Sequence, residues 1–412
     1  MNSADNPLKN LAKFKSAALS CVHCGQCRAA IWPSKHVYNV CPVNKTDVTS
    51  GFEPSFARGK NVILQGLLWG DLTLSPDLSD IFFQCTLCGA CLDFCHNAHN
   101  DSIDFANHRW MDQVNVFEAI RADLVEAGFC PATHSEMNAQ LAERGNPYGK
   151  EPAEKGEWTS RLDFPVKDAS TEPADVLYFV GCTAALTPTF GVQDIAVATA
   201  TALHKLGVDF SVLGAKEICC GSAALRTGNK ATFSQVADQN AQVLKSLETK
   251  TIITSCAGCY RTLKKDYGSR LGDIEIFHTV EFLANYLREH DITMKNLGIT
   301  TTYHDPCHLG RHMGIFDAPR EILARISDLV EMKATREGAH CCGAGGGVKK
   351  AFPELSIAMA RNRVHEAIET GANILVSACP FCSRNLSEAT EALHAGIQVR
   401  DIIELFADSV NI

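Results

Sequence analysis

The sequence predicts an α + α/β protein: a helical N-terminal domain followed by two related α/β lobes. Three observations carry that expectation. Residues 1–130 hold helix-like stretches with few β-branched runs. Beyond residue 174, short apolar strands alternate with helical periods, the pattern of parallel α/β layers. Cysteines then recur at a near-constant offset: Cys182 to Cys307 is 125 residues, Cys219 to Cys341 is 122 and Cys256 to Cys379 is 123. At 412 residues the chain is too long for one ordinary core and suggests two or three domains.

Taken in order, Met1–Ser20 carries Lys9, Lys13 and Lys15 among Leu8, Leu11, Phe14 and Leu19, which predicts an amphipathic helix opening the first domain. No apolar h-region or cleavage site of a secretory leader follows it. Phe56–Trp69 and Asp101–Ala127 also read as helices. Residues 131–174 shift to Glu, Lys, Gly and Pro, with Asn146-Pro147-Tyr148-Gly149 as a turn signal and no sustained apolar period, so they read as a linker or surface strap. The first lobe, residues 175–296, has a strand at Val176–Val180, a helix at Asp194–Leu206, a strand at Asp209–Leu213, a helix at Phe233–Leu247 and a strand at Thr251–Thr254. In the second lobe, residues 297–412, Thr300–Tyr303, Ile322–Ile326, Leu355–Thr370 and Ile374–Ser377 repeat the idea. The lobes are expected to be pseudo-symmetric about a twofold axis.

Charge and hydropathy exclude several classes. A net charge of −9 with scattered Lys and Arg lacks the basic patch of a nucleic-acid binder. No stretch reaches the roughly 18 to 20 apolar residues of a membrane helix. A cytoplasmic protein is expected, reaching a membrane only through a partner subunit. Nineteen cysteines in a long chain of this kind point to a reducing compartment and to thiol chemistry, not to a disulfide framework.

Eighteen of those cysteines form four groups. Cys21, Cys24, Cys27 and Cys41 form the first, and Cys85, Cys88, Cys91 and Cys95 the second. C-x2-C-x2-C places three thiolates on one tight loop, with the fourth corner of a cubane supplied from a distance. In two-cluster ferredoxins the fourth cysteine of each run ligates the other cluster. Cys21, Cys24, Cys27 and Cys95 therefore make one expected 4Fe-4S site, and Cys85, Cys88, Cys91 and Cys41 the other. Gly25 and Gly89 stand where the chain must turn tightly. Arg28–Val40 is an insertion that must loop out before Cys41-Pro42, and His96 replaces the usual proline after Cys95. Two structural zinc sites are the alternative, but zinc does not explain a three-plus-one pattern occurring twice.

The third group is Cys182, Cys219, Cys220, Cys256 and Cys259, and the fourth is Cys307, Cys341, Cys342, Cys379 and Cys382. A cubane uses four cysteines and each lobe offers five. Adjacent cysteines diverge in extended chain and more easily reach different irons than share one. An opened, non-cubane cluster accommodates five ligands; a cubane plus one spare thiol is the alternative. Each set lies where strands end and helices begin, the place where open α/β sheets gather ligands.

The segments Cys219-Cys220-Gly221-Ser222, Ser255-Cys256-Ala257-Gly258-Cys259-Tyr260-Arg261, His304-Asp305-Pro306-Cys307-His308-Leu309-Gly310-Arg311-His312, His340-Cys341-Cys342-Gly343-Ala344-Gly345-Gly346-Gly347 and Ala378-Cys379-Pro380-Phe381-Cys382 resemble the paired-cysteine (CCG) lobes of the heterodisulfide reductase D-type subunit, and the first two groups resemble its ferredoxin portion. The likeness covers nearly the whole chain. It implies two cubane 4Fe-4S clusters in a helical ferredoxin-like domain and two non-cubane 4Fe-4S clusters, the first held by Cys182, Cys219, Cys220, Cys256 and Cys259, the second by Cys307, Cys341, Cys342, Cys379 and Cys382. In that family the non-cubane pair reduces a mixed disulfide, each cluster capturing one sulfur, so these ten cysteines are the expected catalytic set. Implied partners are redox subunits, a flavoprotein, a ferredoxin-like protein or a membrane cytochrome, with a small-molecule disulfide as substrate. The second expectation is a relay subunit without its own substrate, linking a flavoprotein or cytochrome to an acyl-CoA or hydroxy-acid oxidoreductase.

Other residues read more plainly. Cys130, followed by Pro131, belongs to no group and reads as a buried small hydrophobe. His304, His308, His312 and His340 flank the second lobe's ligands; His308 and His340 are the candidates for a hydrogen bond to a ligand or a proton for a leaving thiolate, with local packing the competing fate. Arg311 is a candidate anchor for an anionic substrate tail, though solvated ion pairing is commoner. Gly343–Gly347 does not make a dinucleotide fingerprint, because Val348 occupies the last glycine of G-x-G-x-x-G and no strand precedes it. The glycines let backbone approach a cluster or make a flexible loop, and flavin or nicotinamide must sit on a partner.

Overall fold

The computed structural model describes residues 7–95 and 111–410. Met1–Asn6 of the expected opening helix, His96 and the start of the expected Asp101–Ala127 helix lie outside them. The chain divides into two compact units, and neither is continuous in sequence: the first comprises residues up to 136, with 223–230 and 333–363, and the second the remainder.

The first unit is helical. The opening segment is a 3-10 turn, Leu11–Phe14, running into the helix Lys15–Leu19. The helices Ala57–Trp69, Pro76–Phe83 and Gln113–Glu126 follow, and their apolar faces close on Leu11, Leu64, Phe82, Phe83, Phe117, Ile120 and Leu124. Asp123 ties the chain start to this core, accepting from the Asn10 and Leu11 backbone N–H groups at 2.9 and 2.8 Å. The insertion Arg28–Val40 is a small hairpin of β1 (Ile31–Trp32) and β2 (Val37–Tyr38). Its base closes where the Val40 and Cys41 N–H groups both donate to the Arg28 carbonyl, so the detour returns Cys41 beside the first cysteine run.

A buried arginine organises the rest of this unit. Arg121 donates from Nε and Nη2 to the Phe82 carbonyl, from Nη2 to the Cys85 carbonyl, and from Nη1 to the Arg226 and Gly346 carbonyls at 2.7 and 2.8 Å. Its planar fork suits such a set of fixed acceptors, which a flexible lysine would serve poorly. The glycine loop 343–347 is therefore pinned, not flexible. The Gly347 carbonyl accepts from His134 Nε2 at 2.8 Å, and a Cβ on Gly346 would stand 2.6 Å from the Cys85 carbonyl oxygen.

The second unit holds two parallel sheets. With β3 at Lys167–Asp168, β4 at Val176–Tyr178, β5 at Phe210–Val212, β6 at Thr251–Thr254 and β7 at Glu275–His278, the first has the order β3-β5-β4-β6-β7. With β8 at Thr300–Tyr303, β9 at Asp328–Leu329, β10 at Ile374–Ser377 and β11 at Gln398–Asp401, the second has the order β9-β8-β10-β11. The central strands are buried runs, as strands covered on both faces must be. The helix Asp194–Lys205 packs on Ile402–Ser409, and Thr279–Glu289 packs on Asp317–Ile326.

Residues 131–174 carry the helix Ala132–Arg144 and the 3-10 helix Pro152–Arg161. Trp158 and Lys155 of the latter are 1% and 2% exposed. Trp158 meets the Tyr178 ring edge-on at 6.1 Å, so this part of the polar segment is tucked beneath the first sheet's strand ends.

Candidate metal centres

Both C-x2-C-x2-C runs adopt the same backbone. The residue before the second cysteine, His23 or Leu87, and the glycine after it, Gly25 or Gly89, all have φ between 54° and 82°. Each glycine opens a one-turn helix, Gln26–Ala29 or Ala90–Asp93, that carries the third cysteine. Such alternation wraps the chain around one point, and the Leu87 N–H donates to Cys85 Sγ at 3.4 Å.

Cys41, Cys85, Cys88 and Cys91 line one small cavity of about 30 Å3, whose wall also includes Phe56, Lys60, Val114 and Phe117. Burial pushes the Cys41 thiol up to about 12 and raises those of Cys85 and Cys91. Lys60 is buried in the same wall, its ammonium lowered by burial and donating to the Pro54 carbonyl at 2.5 Å. The other set also gathers. Burial and then Cys41 push Cys27 up to about 12, with Cys21 and Cys95 adding to the shift, while Cys21 is raised by burial with Cys95 and Cys24 as charged neighbours. Cys24 is exposed. Thiols raised in this way do not ionise without a positive partner, and a bound metal is the usual one. Four sulfurs about one cavity, with a cation in its wall, suit an iron–sulfur cluster.

In the second unit seven sulfurs influence one another in series: Cys182 and Cys219, Cys219 and Cys220, Cys220 and Cys259, Cys259 and Cys256, Cys256 and Cys379, and Cys379 and Cys382. Hydrogen bonds from Cys219 and Cys259 lower the Cys220 thiol, and those from Cys256 and Cys382 lower Cys379. Cys182, Cys219, Cys256 and Cys259 are raised, Cys182 chiefly by its bond to Cys219 and then by burial. Local structure places them: Cys182 begins the helix Cys182–Leu186 just beyond β4, and Cys256 and Cys379 are the N-cap residues of Ala257–Arg261 and Pro380–Ala392. Asn240 and Tyr267 hold the paired cysteines from behind, donating to the Cys219 and Cys220 carbonyls at 2.8 and 3.0 Å.

The fourth group is divided between the units. Cys307, Cys379 and Cys382 belong to the second, and Cys341 and Cys342 to the first. The Gly343 N–H donates to Cys341 Sγ at 3.4 Å, just as the Gly221 N–H donates to Cys219 Sγ at 3.4 Å.

Of the flanking residues, His340 Nε2 bonds the Asn39 carbonyl at 2.6 Å within the first unit. The His308 and His312 rings lie 4.5 Å apart, and a Cβ on Gly258, between Cys256 and Cys259, would stand 3.8 Å from His308 Nδ1. His304 is fully buried and Arg311 is half-buried. Cys130 is half-buried against Ser135 and is raised by burial.

Sequence reasoning missed Lys155 and Glu217. The Lys155 ammonium donates to the Glu217 carbonyl at 2.8 Å and to its Oε1 at 3.1 Å. Glu217 in turn accepts from the Val180 and Gly181 N–H groups at 2.8 and 2.9 Å, directly before Cys182. An acid two residues ahead of Cys219-Cys220 was the available signal for Glu217. Nothing in the polar segment marked Lys155.

The cysteine-rich domain family matches residues 176–264 and 301–387, and the 4Fe-4S dicluster domain family matches residues 17–98. The D-type subunit of the dihydromethanophenazine:CoB–CoM heterodisulfide reductase of Methanosarcina barkeri is 37% identical, over 98% of this chain and 97% of that one. The chain belongs to the family of heterodisulfide reductase D-type subunits. It is accordingly an iron–sulfur oxidoreductase subunit, and members of this family work alongside other redox subunits. The corresponding subunit of Methanosarcina mazei is 36% identical over the same shares. A more distant relative, the EtfAB:quinone oxidoreductase of Syntrophomonas wolfei, is 28% identical over 79% of this chain and 46% of its own. A hypothetical protein from Helicobacter pylori shares the fold alone, with a TM-score of 0.53 at 10% identity, covering 100% of this chain and 77% of that one. Among the described residues no helix is long and apolar enough to cross a membrane.

Proposed function

We propose that the chain carries electrons through two cubane 4Fe-4S clusters to two non-cubane 4Fe-4S clusters, where a mixed disulfide of two small thiols is reduced. The division of labour follows the expected domains: residues 1–130 as the ferredoxin-like relay, 131–174 connecting, and pseudo-symmetric lobes at 175–296 and 297–412. Cys21, Cys24, Cys27 and Cys95 would hold one cubane and Cys85, Cys88, Cys91 and Cys41 the other; the five cysteines of each lobe would hold one non-cubane cluster. Bound there, the clusters supply one-electron carriers and metal sites for sulfur.

The observation that carries this reading is the meeting of Cys256 and Cys379. It sets the first lobe's ligands against those of the second, so the two sulfurs of one disulfide can each face a different lobe. The reaction is RS–SR′ + 2e− + 2H+ → RSH + R′SH, in which the S–S bond breaks and both sulfurs are reduced. Two carriers feeding two sites match its two electrons. The protein would work in the cytoplasm, with its electrons coming from a flavoprotein, a ferredoxin-like protein or a membrane cytochrome subunit.

The test is disulfide-dependent oxidation of a reduced viologen by the purified protein or complex, together with about 16 irons per chain. The likeness to an EtfAB:quinone oxidoreductase favours the second reading, a relay between a flavoprotein or cytochrome and another oxidoreductase. Full iron with no turnover on any thiol pair would support that one instead. A colourless preparation holding zinc would end both.

A further inference from the structure

A buried ion pair joins the connecting segment 131–174 to the first lobe, and the described residues of the second lobe do not repeat it. Lys155 and Glu217 are both 2% exposed at their side chains, and Glu217 is bonded to the Val180 and Gly181 N–H groups that lead into Cys182. Moving an ammonium out of water costs several kcal/mol unless it is compensated. The fold meets that cost with one carboxylate, itself fixed by two backbone N–H groups and unable to follow the lysine elsewhere. Two of the three ammonium N–H donors go to Glu217, at its carbonyl and its Oε1. Through Glu217 the ammonium is fixed beside the backbone that runs into Cys182 and two residues ahead of Cys219.

The second lobe handles its buried cation differently. The position matching Val180, two before the lobe's first cysteine, is Asp305, and the position matching Glu217, two before the paired cysteines, is Ala339. Asp305 is taken by Arg320, whose Nη1 and Nη2 reach its two oxygens at 2.7 and 3.0 Å. The same guanidinium holds Glu331 through Nε at 2.5 Å and Nη2 at 3.1 Å. This cation is consumed by two carboxylates, and the triad carries a formal charge of −1.

We propose that Lys155 is a positioning residue of the first lobe: anchored by Glu217, it fixes a positive charge beside the chain leading into Cys182 and Cys219 and makes that lobe's cluster easier to reduce than the second lobe's. The proposal rests on the cluster assignment above. A fixed cation in a low-dielectric site favours the more negative, reduced form of whatever the thiolates hold. The two sites then differ in driving force, and an electron arriving from the relay settles first in the first lobe. The substrate disulfide would thereby meet an ordered pair of sites, one reduced before the other.

The test is an anaerobic potentiometric titration of the iron-loaded protein, followed by electron paramagnetic resonance, on Lys155→Gln, Lys155→Arg and the double variant Lys155→Met/Glu217→Gln. In Lys155→Gln the reduced-to-oxidised ratio of one lobe's signal falls about tenfold at fixed potential, a shift of ~59 mV for one electron, while the other three signals stay in place. Lys155→Arg keeps the charge and stays within about twofold. The double variant leaves no buried unpaired charge, so it folds even where the single one does not, and its shift has the same sign and is smaller. An unchanged ratio in an iron-loaded Lys155→Gln or double variant overturns the inference. Wild-type protein with iron in the first unit but none in the lobes overturns the cluster assignment itself, a distinguishable result that removes the inference with it.

Discussion

Cys256 and Cys379 come from different lobes, 123 residues apart, and each thiol shifts the ionisation of the other. Each stands at the N-cap position of a helix, Ala257–Arg261 or Pro380–Ala392. Neither sulfur can be shifted without disturbing the other lobe.

Replacing Cys379 by alanine should therefore affect both lobes. Losing even an outer partner of a metal ligand costs about 10 to 100-fold, so loss of this sulfur should reduce disulfide-dependent viologen oxidation by about 100-fold or more. The cubane signals of the first unit should persist. Activity retained within a few-fold would show that the meeting point is not where the chemistry happens.

Cys41→Ala tests the shared cavity. Iron should fall by about four per chain, with the remaining cubane signal intact, because Cys41 stands with Cys85, Cys88 and Cys91. Loss of both cubane signals together, in a protein that remains folded, would mean that the pairing is wrong.

Arg121→Met removes five hydrogen bonds to four buried carbonyls. Unsatisfied buried acceptors cost about 1–3 kcal/mol each, and even with relaxation a loss of about 3 kcal/mol or more is expected. Hydrogen exchange should rise at Cys85–Leu87 and at Gly346–Gly347. Arg121→Lys should not restore protection, since one ammonium cannot serve four fixed carbonyls.

His134 predicts a pH dependence. Burial lowers it from 6.5 to about 4, with its Nε2 bonded to the Gly347 carbonyl. The folded state resists protonation while the unfolded chain accepts it, so the stability is complete above about pH 6.5 and declines as pH falls toward 4. A shift of this size is worth about 3 kcal/mol. Thermal melts at pH 7 and pH 5 should differ by several degrees in the wild type, and the gap should shrink in His134→Gln. An equal gap in both would assign the acid sensitivity elsewhere.

Much of this was legible beforehand, for physical reasons. Thr251–Thr254, Thr300–Tyr303 and Ile374–Ser377 are short β-branched runs ending at a polar residue just before the ligands, and the strands occupy those same residues. Glu275–His278 and Gln398–Asp401 escaped notice because their outer faces are charged or half-exposed, which breaks the apolar run. Sulfur spacing marked the candidate ligands, since a tight loop must present them locally. Lys155 was invisible for the opposite reason. Its burial is decided by Glu217, sixty-two positions away, and no local pattern records a partner at that distance.

The interleaved first unit has a consequence for synthesis. Val43 and Cys41 pack on Val348, Leu355 and Met359, and Arg121 waits for the Arg226 and Gly346 carbonyls. A nascent chain leaving the ribosome would hold its first cysteine runs without their packing partners until residue 363 has emerged. Loading metal early would fill a half-built cradle, and a polypeptide stopped after Glu136 should be insoluble or need those later segments supplied in trans.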